Sequence, residues 1–194
     1  MLRMVLEVAL VVALLAGGVV ALVAFSRWHA SRIERFWRAA ADEIGGELSF
    51  QAGWFDVQCS LAVTLDGQRV TVTRGRTTEV YARAPAAPPP GFELKVEPRP
   101  PGFLTDPGRA VVTGDGTFDL IFNVEATDPE LAASWLDAPA RDAISRAGQV
   151  WLSVRDGAVT GNRTVFDFQP HALEHLARAV AALAAKAPGG AGAT

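Results

Sequence analysis

The run from Met4 to Phe25 (MVLEVALVVALLAGGVVALVAF) constrains this chain more than any other stretch. It holds twenty-two residues and one charged side chain, Glu7. At about 1.5 Å of rise per residue it forms a helix of roughly 33 Å, enough to cross a hydrocarbon core about 30 Å thick. Eleven Leu, Val and Phe residues lie between Val8 and Phe25. At about −0.3 to −0.6 kcal/mol each near the bilayer centre, they favour insertion by roughly 3 to 7 kcal/mol, and Glu7 is close enough to the end to reach headgroup water. A cleaved signal peptide fits the run less well. Its basic region would be only Met1 to Arg3, the apolar run is longer than usual, and no small-x-small site falls at its end. Residues 1–25 therefore read as a retained transmembrane signal-anchor of a single-pass protein.

The flanking charge sets the expected orientation. Arg27, Arg32, Arg35 and Arg38 follow the run, against Arg3 before it, and positive charge favours the cytoplasmic side. The C-terminal part is thus expected in the cytoplasm, at the cell membrane. Arg27, Trp28, Arg32, Arg35 and Arg38 form the expected membrane-interface set. Trp28 sits at headgroup depth, and arginines meet anionic lipid at about 1 kcal/mol each, although topogenic charge alone accounts for them as well. Within the anchor, Ala9, Ala13, Gly17 and Ala21 recur every fourth residue. Such a stripe allows close approach of a second helix and hence a homodimer, and an alanine-rich chain also produces it by chance.

Beyond the anchor the chain is long enough for one core and short for two. The formal charge is −3 although the membrane-proximal stretch is basic, so the body is acidic and nucleic acid is not an expected ligand. The single cysteine, Cys59, rules out an internal disulfide and any CxxC or thiolate zinc cluster, and suits a reducing compartment.

Residues 26–46 continue the helix as an amphipathic juxtamembrane segment, with Ile33, Phe36, Trp37, Ala40 and Ile44 on one face and Gly45 and Gly46 at its end. Residues 47–187 read as a soluble α+β domain with a mainly antiparallel sheet, short helices and a C-terminal helix. Leu61 to Thr73 alternates around Asp66 and Gly67, the pattern of a two-residue hairpin. Thr77 to Ala82 and Phe92 to Val96 read as strands, separated by Pro85 to Gly91, whose consecutive prolines place that loop at a sheet edge. Pro98 to Gly108 is a second loop. After a Gly-Asp-Gly turn, alternating Phe118, Leu120 and Phe122 read as a strand. Asp128 and Pro129 open a helix whose Leu131, Trp135 and Leu136 face the core. Ala138 to Ala147 is a second short helix ending at Gly148, and Val150, Leu152 and Val154 lead into a hairpin turn at Asp156 and Gly157. The last helix runs from Pro170 to about Lys186, and 188–194 reads as a disordered tail.

The sharpest chemical motif is His171, Glu174 and His175, an H-x-x-E-H spacing that places two possible metal ligands on one helical face. It resembles the motif of the inverted zinc peptidases. Their further carboxylate ligand lies downstream, and no Asp or Glu follows His175 here. Leu173, Leu176, Val180 and Leu183 mark the buried side with the histidines nearly opposite, and Glu174 is spaced to pair with Arg178. Asp115 and Asp119 are further candidates for a cation, but they lack the alternating spacing of a calcium loop and fit a glycine turn and a loop hydrogen bond. Cys59 reads as a buried thiol. Asn162, Arg163 and Thr164 form a glycosylation sequon, of no consequence in the cytoplasm. No phosphate-binding loop, nucleophile elbow or dinucleotide fingerprint is present. The motifs imply no catalytic, metal or cofactor site, and no cofactor.

The Gly-Asp-Gly-Thr-Phe-Asp segment at Gly114 to Asp119, the basic amphipathic continuation of the anchor and the Asp-Pro helix ending in Trp135 and Leu136 together resemble uncharacterised bacterial single-pass membrane proteins with a strand-rich domain. The resemblance implies the fold and carries no assigned activity or residue roles. The expected function is a membrane-anchored, non-catalytic binding or scaffolding module that meets the lipid bilayer and a protein partner. Two alternatives stand beside it. One is a metal-dependent hydrolase using His171, Glu174 and His175 with Asp115 or Asp119, and the other a periplasm-facing domain that binds envelope components.

Overall fold

A helical apolar period that passes without a break from a lipid-like stretch into a half-polar one gives a single rod. The computed structural model describes residues 2–53, 56–75, 79–100, 109–164 and 170–187, and its first helix, α1, runs Leu2–Ile44. Among the described residues this is the one helix long and apolar enough to cross a membrane, with mean hydropathy 2.6 in its most apolar window and none of that window buried. Further along, the same helix enters the core: Ile33, Phe36, Trp37, Ala40 and Ala41 are buried, and Ile44 packs at the margin. Gly45, at φ +69, ends it in the left-handed region that only glycine enters freely.

The strands that follow are β1 (Glu47–Ala52), β2 (Val57–Leu65), β3 (Gln68–Arg74), β4 (Glu79–Pro85) and β5 (Leu94–Pro98). Then come α2 (Gly116–Ile121), β6 (Phe122–Ala126), α3 (Pro129–Trp135), α4 (Ala138–Ala147), β7 (Trp151–Arg155), β8 (Ala158–Thr164) and α5 (Pro170–Ala184). All eight strands join one sheet in the order β1-β2-β3-β4-β8-β7-β5-β6, and every neighbouring pair is antiparallel. The fold is α+β. Both hairpin turns fall where the Asp-Gly pairs lie: Leu65 faces Gln68 and Arg155 faces Ala158. Asp66 and Gly67, like Asp156 and Gly157, have positive φ, the backbone twist that a two-residue hairpin requires.

Three elements differ from the sequence reading. The segment expected as a strand from Phe118 to Phe122 begins as helix α2. Asp115 accepts from the backbone N–H groups of Thr117 and Phe118, and the Phe118 and Phe122 rings, four residues apart, meet at 4.8 Å with a tilt of 32° while Leu120 points outward. The apolar pair was spaced by four, and the period of two was accidental. The proline loop after β4 does not lie at a sheet edge. β4 and β5 are interior strands separated by β8 and β7, and the loop passes the end of that hairpin, where the Ala86 N–H donates to the Gly157 carbonyl. Pro85 is the last residue of β4, opposite Ala158, and Pro88, Pro89 and Pro90 lie beyond the ladder, where they remove no strand donor. Strand β1, with only Leu48 and Phe50 partly buried, is an edge strand whose alternation is too weak to read. Of the expected 77–82 strand, Thr77 and Thr78 lie outside the described residues, as does the 188–194 tail.

Helix α5 is the centre of the core. Leu173, Leu176, Ala177, Val180 and Leu183 are fully buried, and Ala172, Ala179, Ala181 and Ala184 are buried as well, because α5 contacts β3, β4 and β8 on one side and α1 and α4 on the other. Its small residues allow helices to approach from several directions. The closest approach to the sheet is at Gly161, where an added Cβ would stand 2.7 Å from a Leu152 methyl and 2.9 Å from a Val180 methyl. Gly161→Ala is expected to lower stability by about 1–3 kcal/mol through overpacking, read as a fall in the thermal unfolding midpoint of the detergent-solubilised chain. A rise would show that α5 is not seated here.

Candidate functional site

Alternation in an antiparallel sheet sends one set of side chains to the helices and the other to the opposite face. The inward set is apolar: Val70 and Val72, Val80 and Ala82, Leu94 and Val96, Leu152 and Val154 are all buried. The outward set carries hydroxyls, charges and two large rings. Register places these in rows. Ser60 faces Thr73, Thr73 faces Tyr81, Tyr81 faces Asn162 and Asn162 faces Trp151. A second row runs Thr71, Arg83, Thr160, Ser153, Lys95.

These rows line an open cleft of about 710 Å³. Trp151 and Tyr81 are 40% and 42% exposed, high for rings on interior strands. Smaller recesses continue the cleft both ways, past Thr73 toward Ser49 and Ser60 and past Trp151 and Glu97 toward Arg99 and Asn123. The Tyr81 hydroxyl donates to Glu79 at 2.5 Å, and that hydrogen bond, with a smaller contribution from burial, raises its pKa above the ordinary tyrosine value. Ser153 and Thr160 share a hydroxyl hydrogen bond at 2.9 Å, and Lys95 pairs with Glu97 at 2.6 Å. The Asn162 side-chain oxygen is different. It is buried and accepts no hydrogen bond among the described residues. The next residue, Arg163, turns inward and donates to the Ala147 carbonyl at 2.7 Å, and burial lowers its pKa.

Nothing singled out in the sequence pointed to this cleft. Asn162 stood there only as part of a sequon, and Tyr81 only as a strand residue. The available signal was two large rings, Tyr81 and Trp151, on the polar phase of strands whose other phase is apolar.

The sequence candidates lie elsewhere. His171 is exposed and His175 half-buried on α5, with ring centroids 5.8 Å apart, and Glu174 pairs with Arg178 at 2.8 Å. Asp115 accepts from Thr117, Phe118 and, at 3.3 Å, Arg141. Asp119 accepts from the Thr113 backbone and hydroxyl at 3.2 and 2.8 Å. Among the described residues no three of His, Cys, Asp and Glu converge on a position for a metal ion. Trp28 is half exposed, with Arg32 over its ring at 5.9 Å, and Arg27, Arg35 and Arg38 are exposed along α1. Arg38 bonds Glu34 at 2.6 Å. Ala9, Ala13, Gly17 and Ala21 are exposed, with open space where a Gly17 side chain would lie.

No protein-family model matches the sequence, and no curated protein is similar to it. A solved structure is similar in fold. It is the crystal structure of the mycobacterial trehalose monomycolate transport factor A, TtfA, with a TM-score of 0.53 over 79% of this chain and 95% of that one, at 9% identity. At that identity the likeness is one of fold.

Two measurements check this electrostatic description. Burial pushes the Cys59 thiol up to about 11, against the lowering effect of Arg74, so roughly one thiol in a thousand is ionised at pH 8. Cys59 is expected to resist a thiol reagent in the folded chain and react at the ordinary rate once unfolded. The Asp115 carboxyl is held below its ordinary pKa by the Phe118 N–H first and by Arg141 and Thr117 as well. Its stabilisation is therefore present above about pH 4 and lost as the pH falls through the lowered folded-state value. The difference in unfolding midpoint between the native chain and Asp115→Asn is expected to be largest near neutrality and to close in acid.

Proposed function

We propose that the chain is a membrane-anchored, non-catalytic binding module, held by α1 at the cytoplasmic surface, whose ligand meets the uncovered face of the sheet. The observation that carries this reading is the one-sided covering of eight strands. Helices take the apolar face, and the other presents a cleft of about 710 Å³ with two exposed rings. A volume of that size suits a small ligand or a headgroup. The exposed apolar part of α1 supports the anchor, and the arginines that follow it support the cytoplasmic side. Tethering confines the module to the bilayer surface and raises its effective concentration for anything displayed there.

The protein of similar fold is named as a transport factor, and a role of that kind agrees with a module that binds without performing chemistry. The hydrolase alternative gains no support, since Asp115 and Asp119 are engaged around α2 and the histidines stand on α5 with Glu174 turned to Arg178.

Orientation is read by labelling. Cys59 is too deeply buried to report, so the reporter is Arg155→Cys in a Cys59→Ser chain, at a site 68% exposed beside a hairpin turn. An impermeant maleimide is expected to label it only after the membrane is opened. Labelling in intact cells would place the domain outside and favour the envelope-binding alternative. The surface is read by a photocrosslinking residue in native membranes: adducts are expected from Thr160 on the open face and none from Asp142 on α4, and the reverse pattern would remove the open face as the binding surface.

A further inference from the structure

We infer that the open cleft binds the sugar headgroup of a membrane glycolipid. This rests on the open face being the binding surface, and it adds the ligand's chemistry and source.

The first ground is the pairing of rings with polar groups. Tyr81 and Trp151 stand on either side of Asn162 in one cross-strand row. A pyranose presents apolar C–H groups on its faces and hydroxyls around its rim, so it packs flat on an aromatic ring while its edge makes hydrogen bonds. The cleft supplies both: rings at Tyr81 and Trp151, and Thr71, Thr73, Arg83 and Asn162 for the rim.

The second ground is the unpartnered oxygen. A buried acceptor without a donor costs stability and calls for an explanation. Asn162 Oδ1 is the one such side-chain atom among the described residues, and its residue stands in the cleft lining between the two rings. A ligand hydroxyl satisfies it once the amide turns out into the cleft. Hydroxyls both donate and accept, which suits an acceptor at Asn162 beside the Arg83 donors.

Charge narrows the class. The charged residues of the lining are Arg83, Lys95 and Glu97, and Lys95 is matched by Glu97 at 2.6 Å. The cleft is thus nearly balanced, which favours a neutral glycan over a polyanion.

Position selects the source. At the end of β1, Ala52 and Gly53 share a recess with Val23, Ser26, Arg27 and Ala30 of α1, so that end of the sheet lies beside the segment where the helix leaves its apolar run. Ser49 faces Ser60, which heads the aromatic row, and Ser49 is three residues from Ala52, about 10 Å along the strand. The row crosses the sheet at about that distance from this end of its strands, where a lipid-borne sugar is presented and a free one is not concentrated.

The test uses the full chain in phosphatidylcholine nanodiscs containing a diglucosyl diacylglycerol with a photoactivatable group on its sugar. Adducts are expected on β4, β7 and β8, well above those given by a phosphatidylcholine bearing the same group. Trp151→Ala is expected to reduce them at least tenfold. Asn162→Leu is expected to do the same without lowering the unfolding midpoint, because it removes an unsatisfied acceptor. Unlabelled glycolipid should compete, and soluble maltose at equal concentration should not. Adducts no more abundant than the phosphatidylcholine control, or unchanged in both variants, overturn the sugar site, and equal competition by maltose overturns the membrane source. If the glycolipid fails while Thr160 still crosslinks in native membranes, this inference falls and the open-face reading stands. If both fail, both fall.

Discussion

The seating of α5 on the sheet is the contact from which the rest of the molecule follows. Gly161 on β8 leaves room for Val180 and Leu176, and the alanines along α5 let α1 and α4 close over its outer side. One helix buried nearly all round draws the apolar phase of β3, β4 and β8 to itself. Polar groups at its periphery hold the arrangement. Lys186, just past α5, pairs with Asp137, which also caps α4 by accepting from Ala140. Burial alone would raise the Asp137 carboxyl, but the Lys186 ammonium and the Ala140 N–H overcome this and hold its pKa below the ordinary range.

This seating leaves the opposite face of the sheet open. Eight strands wind past one another with their ladders satisfied from within, so the open face offers side chains and no free backbone donors except at its edges. The β6 edge is partly covered, since Val111 donates to Val124 and Ala126 to Arg109. What remains on that face is an open cleft of rings and hydroxyls. The long apolar stretch joins this design through α1, whose Trp37 is a core residue, so the helix long and apolar enough to cross a membrane and the wall of the domain are one element.

Much of the fold was legible because its signals are local. The long apolar run, the amphipathic turn of Ile33, Phe36 and Trp37, the Asp-Gly hairpins and the Asp128-Pro129 cap each depend on residues a few positions apart, and each appears in the structure where its spacing placed it. One failure was also local in cause, whereas the misplaced proline loop followed from the strand order. Phe118, Leu120 and Phe122 satisfy a strand pattern and a helix pattern together, and the capping bonds of Asp115 to the Thr117 and Phe118 N–H groups decide between them. The chemical motifs drew attention to His171, Glu174 and His175, whereas the cleft is built from Tyr81, Trp151 and Asn162, residues that carry no motif.

By itself, the sequence determined that the chain has a membrane-length helix running on into an amphipathic one, and that an α+β body follows it, because hydrophobic period and turn chemistry act over short spans. Only the tertiary structure decided that β8 and β7 lie between β4 and β5, and hence that Tyr81, Asn162 and Trp151 share a row. That row joins residues up to 81 positions apart, through strand pairing that depends on which apolar faces the helices can bury at once, and no local pattern encodes that choice.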